Sequence, residues 1–550
     1  MSKYNTWYHP YPINEAYTKR VAYFCMEYGI HQALKNYSGG LGYLAGSHMR
    51  SAYELRQNFI GIGVLWKFGY YDQVRNEDQT MRVLFQKRFY SYLENSGIAV
   101  TVMVHNHPVV IKALVLKPEI FGTVPIYFLT TDIPENDHLA RTITHKLYDS
   151  ELSARIAQSI VLGLGGAKVV EALGGTDVYH MNEGHALPLA FHLFDKYRDV
   201  NEVKKRMVFT THTPEKAGNE EHDIEHLDRM GFFGNVPLEI AREITGMRGH
   251  MLDYTLSALR LSRVANGVSQ LHGEVSRNMW YDNPGVCEIK SITNAQNPNY
   301  WTDPILKQAL LENEDELLLQ RKRELKKELF EEVADQTGKL FDPDVLTIVW
   351  ARRFAGYKRA DLLLRDIPRF LELISRPGQR VQVIWAGKPY PFHHEAIETW
   401  NKLVKFSYQR NDIAVLSGYE LDLSRKMKHG ADIWLNNPRR PREASGTSGM
   451  TAAMNGTINL SIQDGWIPEF ARHGENSFLL PVIDTTLSED AQDKLDHGNL
   501  MHILETEIIP MYYNDKQRWL RIMKQSMLDI VPEFSADRMA DQYYKELYRL

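Results

Sequence analysis

Short apolar runs rich in valine, isoleucine and aromatic residues return along most of the chain, separated by stretches that read as helices. They span residues 20–28, 59–66, 124–129 and 207–211, then 345–350, 381–385, 413–416 and 433–435. Runs this short suit strands buried on both faces. Strands alternating with helices build layered α/β sheets that are mostly parallel. Ligands of such sheets lie beyond the carboxyl ends of the strands, so the polar residues just after each run are where function is sought.

A chain of 550 residues is too long for one core, and two large domains or three smaller ones are expected. Residues 312–332 form a highly charged, leucine-bearing helical pattern that closes on Thr337-Gly338, with Pro343 just beyond. This places one domain over 1–340 and a second over 341–550. The amphipathic helices after about residue 515 are free to pack back on the first domain. The apolar share of 43% and charged share of 24% exclude a disordered or fibrous chain.

A net charge of −5 gives no reason to expect nucleic acid or an anionic membrane as partner. The densest basic cluster is short: Arg439, Arg440 and Arg442. No run approaches a membrane span, and the first residues carry no apolar signal core, so a cytoplasmic location is expected. The two cysteines, Cys25 and Cys287, are read as thiols, Cys25 as a buried one.

Four segments carry candidate chemistry. Tyr37-Ser38-Gly39-Gly40-Leu41-Gly42 joins a strand to a helix, where glycines let a ligand approach the backbone and free N–H groups meet an anion. The same run also reads as a structural turn. His212, in Thr210-Thr211-His212-Thr213-Pro214, sits where a strand gives way to a loop, fit either for a sugar hydroxyl or for a satisfied core contact; His185 has the same two readings. Arg353 and Lys358 lie five apart after a near-continuous apolar strand. A helix start disfavours cations, so their placement there suits a phosphate or diphosphate. Finally, Glu443-Ala444-Ser445-Gly446-Thr447-Ser448-Gly449-Met450 combines an acid, hydroxyls and glycines, the composition of a sugar and phosphate cradle. The run from His222 to His226 fits a zinc-peptidase pattern, but Gly218 and Asn219 upstream suggest a loop and no third ligand is evident, so no metal is expected.

Taken together, these segments resemble the α-glucan (glycogen/maltodextrin) phosphorylases, especially the short bacterial forms. The matching runs occur in family order: YFCMEYGI, YSGGLGYLAG, WKFGYYDQ, MNEGHA, TTHTP, NGVSQLHGEVSR, ITNAQNP, ARRFAGYKRADLL, WLNNPRRPREASGTSGM and MNGTINLSIQDGW. The resemblance implies an α/β fold of the GT-B type, two Rossmann-like domains facing a cleft. It also implies a retaining glycosyltransferase acting on an α-1,4-glucan or related glucoside, with phosphate, a sugar phosphate or a nucleotide sugar as the other substrate. A homodimer is the assembly it allows.

By position, the resemblance gives His212 and Asn294 contacts to the transferred glucose. Arg353 and Lys358 match the cations on the substrate and cofactor phosphates. Glu443, Ser445 and Gly446 match groups that bind glucose hydroxyls, Thr447 and Ser448 the edge of the cofactor phosphate site, and Gly39, Gly40 and Leu41 the loop over the donor phosphate.

Two departures stand out. The family has lysine after Met450, the Schiff-base partner of pyridoxal phosphate, and this chain has Thr451. Threonine cannot form an imine, so no covalent pyridoxal phosphate is expected; the cofactor would be held noncovalently or be absent. Asn294 is followed by Ala295-Gln296, where the family usually has Gly-Val. Three readings stay open: a phosphorylase with noncovalent cofactor, a nucleotide-sugar-dependent glucosyltransferase, and a catalytically silent glucan-binding relative.

Overall fold

A computed structural model describes residues 2–549, leaving the side chain of Ala217 aside. The chain divides into two compact units. The first holds residues up to Tyr71, Phe85–Asn294 and the C-terminal stretch from Ala536. The second holds Asp72–Leu84 and Ala295–Ser535.

The first unit is built on a nine-stranded sheet: β1 (Val21–Phe24), β2 (Phe59–Val64), β3 (Glu94–Val104), β4 (His107–Leu116), β5 (Ile126–Thr130), β6 (Val178–Asn182), β7 (Met207–Thr210), β8 (Val264–Gly267) and β9 (Glu288–Ser291). They lie in the order β9-β8-β7-β6-β1-β2-β5-β4-β3. Pairing is parallel from β9 through β5, and the β3–β4 hairpin closes that edge antiparallel. β1, β2, β5, β6, β7 and β8 are buried throughout, as strands covered by helices on both faces must be. The strand order reverses at β1, which has β2 on one side and β6 on the other. Helix α1 (Gly40–Glu54) follows β1. The C-terminal helix Ala536–Tyr543 packs against α1, where Asp541 accepts from the Tyr17 hydroxyl at 2.9 Å and the Ala540 carbonyl accepts from Gln57 at 3.2 Å.

The second unit has six parallel strands: β10 (Leu346–Ala351), β11 (Val381–Ala386), β12 (Ile413–Leu416), β13 (Ile433–Asn436), β14 (Ile458–Ser461) and β15 (Ser477–Leu479). Their order, β12-β11-β10-β13-β14-β15, is third-second-first-fourth-fifth-sixth, the Rossmann arrangement. The helices used below are α2 (Asp315–Thr337), α3 (Leu421–Gly430) and α4 (Ser448–Ala453). Leu329 and Val333 of α2 join Met427 of α3 and Ile384, Ala414 and Trp434 of the strands in one core.

The passage into the second unit falls at 294/295, whereas the sequence reading ended the first domain at 340. The reason is on α2. Lys326 pairs with Asp432 at 2.6 Å, and Lys322 donates to the His429 and Asn455 carbonyls at 2.6 and 2.9 Å, so the charged helix is fastened to the second sheet. The hairpin Asp72–Arg75/Met81–Leu84 also belongs there: Gln73 bridges the Gly387 carbonyl and the Gly418 N–H at 3.1 and 3.0 Å.

Among the described residues no helix is long and apolar enough to cross a membrane. Cys25 and Cys287 are free thiols, and Cys25 is fully buried. The run from His222 to His226 divides between a strand and a helix. His222 pairs with Glu220 at 3.0 Å, and the His226 N–H donates to the capping carboxylate of Asp223 at 2.7 Å. Among the described residues no group of three or more His, Cys, Asp or Glu stands where a metal could be held.

Candidate functional site

In the second unit the reversal of strand order falls between β10 and β13, and the candidate residues follow these two strands. Lys358, at the end of a short turn after β10, pairs through Nζ with Glu443 Oε2. Arg352 places NH2 at 3.2 Å from the same oxygen. Both cations are buried, while Arg353 is exposed. The sequence places Arg353 on a phosphate, and the arginine turned onto the carboxylate is its neighbour Arg352. Arg353 still acts on Glu443 through its charge. Burial raises the Glu443 carboxyl, but Lys358, Arg352 and Arg353 outweigh it and hold the group below the usual carboxylate range. Arg352 NH1 is buried without a hydrogen-bond partner, an unmet donor beside an ionised acid.

The cradle residues follow Glu443 directly. Gly446 has φ +77°, a conformation that favours glycine, and a Cβ there would lie 3.4 Å from Arg352 NH2. Ser445 is buried and its carbonyl accepts from Trp466 N at 3.1 Å. Thr447 precedes α4, and Ser448 Oγ accepts from the Trp434 indole at 3.2 Å. Asp464 takes the Glu443 and Gly465 N–H groups, both at 2.9 Å.

Thr451 lies within α4, 1% exposed. Its hydroxyl donates to the Ser448 carbonyl at 3.0 Å, and its own carbonyl accepts from Asn455 at 2.8 Å. The position that the sequence resemblance assigns to the cofactor's anchor therefore offers a hydroxyl already spent within its own helix, and a hydroxyl forms no imine.

In the first unit, too, the candidate residues stand at the carboxyl ends of strands around the reversal at β1. Glu27, just past β1, gathers the Ser38 N–H at 2.6 Å, the Ser38 hydroxyl at 2.9 Å, the Gly39 N–H at 3.1 Å and the Tyr148 hydroxyl at 2.8 Å. This fixes the entry to α1. The N–H groups of Gly40, Leu41 and Gly42 precede the first bond of that helix, given by Tyr43 N to Gly39 O at 3.0 Å. A Cβ on Gly42 would meet Glu27 Oε2 at 2.7 Å, so the last glycine of the run is needed for this approach.

His212 follows β7. Its N–H donates to Glu183 Oε2 at 2.9 Å and its Nε2 meets Asn182 Oδ1 at 2.6 Å. Burial, then the neighbouring His272 and His185, lower the imidazole to about 3, so it is neutral at physiological pH. Glu183 holds φ +72°, ψ 167°, a strained backbone for a residue with a side chain, and burial raises its carboxyl to about 7. His185 is partly buried, and its Nδ1 lacks a hydrogen-bond partner. Asn294 is buried, with its N–H on the Val268 carbonyl at 3.0 Å and its Oδ1 without a partner.

Residues that sequence reasoning had not assigned complete both groups: Glu27, Asn182 and Glu183 in the first unit, Arg352 and Asp464 in the second. All five lie in the motif runs quoted above, and their common signal is a polar side chain at or just beyond a strand end.

The comparisons with known proteins bear on the family. Residues 251–480 match the family model described as carbohydrate phosphorylase. An uncharacterised protein of Methanocaldococcus jannaschii is 47% identical over 96% of this chain and all of its own length. The maltodextrin phosphorylase of Thermococcus litoralis is 33% identical over all of this chain and 72% of its own. The glycogen phosphorylase of Mycobacterium tuberculosis is 32% identical, with 96% and 70% covered. With two Rossmann-like sheets, acid–base clusters at their switch points and these relatives across its length, the chain belongs to the carbohydrate phosphorylase family.

Proposed function

We propose that this protein is a retaining hexosyltransferase that moves a glucosyl unit between an α-1,4-glucan and a phosphate-bearing donor or acceptor. The observation that carries the reading is the cluster of Arg352, Lys358 and Glu443 at the switch point of the second sheet, with a small-residue turn directly after it. In the donor, the bond between the anomeric carbon and the phosphate oxygen breaks and negative charge gathers on the departing phosphate. Arg353 and Lys358 stabilise that charge, and a hydroxyl of the glucan acceptor attacks the anomeric carbon and gives its proton to the departing phosphate. In the second unit Glu443, Ser445 and Gly446 are the groups for the sugar hydroxyls. In the first unit His212 and Asn294 are the groups for the transferred sugar, and Gly39, Gly40 and Leu41 those for the donor phosphate.

Covalent pyridoxal phosphate has no part in this reading. Because Thr451 offers no amine, a donor that brings its own second phosphate, a nucleotide sugar, is the second candidate beside glucose 1-phosphate. The test is a donor screen of the purified protein with a maltooligosaccharide acceptor, paired with an absorbance spectrum. Turnover with one donor class is expected, and Arg353→Ala and Lys358→Ala should each lower it by about 10²-fold, as loss of one electrostatic stabiliser does. No turnover with any donor would overturn the enzyme reading in favour of a glucan-binding protein.

A further inference from the structure

Three neighbouring strands of the first sheet, β1, β6 and β7, present Cys25, Asn182 and His212 at their carboxyl ends. Phe24 is in register with Met181, and Asn182 with Thr210, so the three side chains stand in a row across the sheet. The Cys25 thiol donates to the Glu27 carbonyl at 3.1 Å. Burial raises it to about 12, so it keeps its proton. Having spent its hydrogen, the sulfur can only accept, and Asn182 Nδ2 donates to it at 3.3 Å. With the amide nitrogen turned to sulfur, Oδ1 faces the histidine, 2.6 Å from Nε2. A carbonyl oxygen cannot donate, so Nε2 must carry the hydrogen, and a neutral ring then has a bare lone pair on Nδ1.

We propose that Asn182, held in one amide orientation by the buried Cys25 thiol, is the positioning residue that fixes His212 as its Nε2–H tautomer and so offers Nδ1 as an acceptor to a sugar hydroxyl. The sugar half rests on the glucan reading above; the tautomer half does not. A second acceptor supports the ligand class. Asn294 Oδ1, also at the carboxyl edge of this sheet, is buried without a partner. Two waiting acceptors suit a hydroxyl-bearing neutral ligand and repel a carboxylate or phosphate.

The backbone around His212 is held separately, so the relay acts on the ring alone. Glu183 takes the His212 N–H at 2.9 Å and the Thr213 hydroxyl at 3.4 Å. His272 accepts from Val268 N through Nδ1 at 3.1 Å and therefore donates from Nε2 to the Thr213 carbonyl at 3.2 Å.

The experiment is nitrogen-15 NMR of the full chain with labelled histidine, unliganded and with maltoheptaose. Wild type and Cys25→Ser should both show the Nε2–H pattern for His212, because a serine hydroxyl can donate to the Glu27 carbonyl and accept from Asn182 as the thiol does. Asn182→Leu should give mixed tautomers and bind maltoheptaose about tenfold more weakly, the worth of one hydrogen bond to a buried site. Asn182→Asp, the second variant should leucine unfold the chain, should keep the tautomer and raise the pH at which His212 titrates. A wild-type Nδ1–H pattern, or an unchanged tautomer in Asn182→Leu, overturns the proposal. The expected tautomers without any maltoheptaose binding would uphold the relay and overturn the glucan reading.

Discussion

The backbone N–H of Glu443 donates to the carboxylate of Asp464 at 2.9 Å, so two acids of the second unit are joined through one hydrogen bond and titrate apart. Glu443 is held below the carboxylate range by Lys358, Arg352 and Arg353 against its burial. Asp464 goes the other way: burial, and then the charge of Glu443, outweigh its backbone donors and raise it to about 7. One acid is ionised at neutral pH and the other sits near half-titration, a split set by environment alone.

Asp464 makes the stability of the second unit fall with rising pH. Its folded pKa lies above the unfolded value near 4, so between these the folded state holds a proton that the unfolded state has released. The contribution is full below about pH 4 and lost as pH rises through 7. Asp464→Asn cannot ionise. Its melting temperature relative to wild type should rise between pH 5 and pH 8, and a difference constant across that range would show that Asp464 is already ionised at pH 5.

Glu443→Gln leaves Lys358 and Arg352, 10% and 7% exposed at their side chains, without their counterion. Breaking a buried pair by removing one partner costs about 3 kcal/mol, so the variant should melt well below wild type. Inorganic phosphate should restore more of that loss than it adds to wild type, because it supplies the missing charge and can meet Arg352 NH1. Equal phosphate shifts in the two proteins would mean that these cations do not form the anion site.

His48, in α1, is buried with neither ring nitrogen hydrogen-bonded, and burial alone lowers it to about 3. It packs edge-on against Tyr23 and beside Phe59 and Tyr543. Its folded pKa lies below the unfolded value near 6.5, so it lends stability above that pH which is lost as pH falls towards 3. His48→Phe keeps an aromatic ring and removes the charge. The variant should match wild type at pH 7.5 and melt higher at pH 5. A lower melting temperature at both would point to lost shape complementarity as the dominant effect.

The sequence showed its strands where physics writes them in apolar letters. The run Leu346–Ala351 is buried at every residue and reads plainly. Val178–Asn182 is equally buried yet less plainly apolar, because its polar residues are satisfied by partners far along the chain: His180 meets the Tyr548 hydroxyl at 2.6 Å and the Thr210 hydroxyl at 2.7 Å. The same blindness affected α2, whose Lys322 and Lys326 look like a solvated face and are buried donors into the second sheet. At the site, motif spacing marks the segment but not which side chains meet within it. Only the folded strand shows that Arg352 turns to Glu443 while its neighbour stays exposed. Asp464, one strand over from the cradle, becomes visible only once β13 and β14 pair.

Thr451 carries the last prediction. The sequence resemblance sets the family's anchor lysine at this position on α4, where the side chain is 1% exposed with its hydroxyl on the Ser448 carbonyl. The first turn of the helix is clamped from below: Asn459 donates to the Gly449 carbonyl at 3.0 Å, and a Cβ on Gly449 would come within 2.4 Å of Asn459 Oδ1. Asn455 ties the Thr451 carbonyl to that of Trp301, through bonds of 2.8 and 2.9 Å. A helix fixed on these sides cannot shift to make room, so a lysine at 451, two heavy atoms larger than threonine and much longer, must displace packed neighbours or turn away from them. Overpacking of that kind costs about 1–3 kcal/mol, with no aldehyde yet bound to offset it. Thr451→Lys should therefore be less stable than wild type and form no imine with added pyridoxal phosphate. Borohydride reduction followed by intact mass reads the outcome directly. A stoichiometric adduct on the introduced lysine would mean that the cofactor slot survives beside Thr451 and that only the anchor has been lost. An adduct on the wild-type chain would mean that another lysine has taken over the attachment.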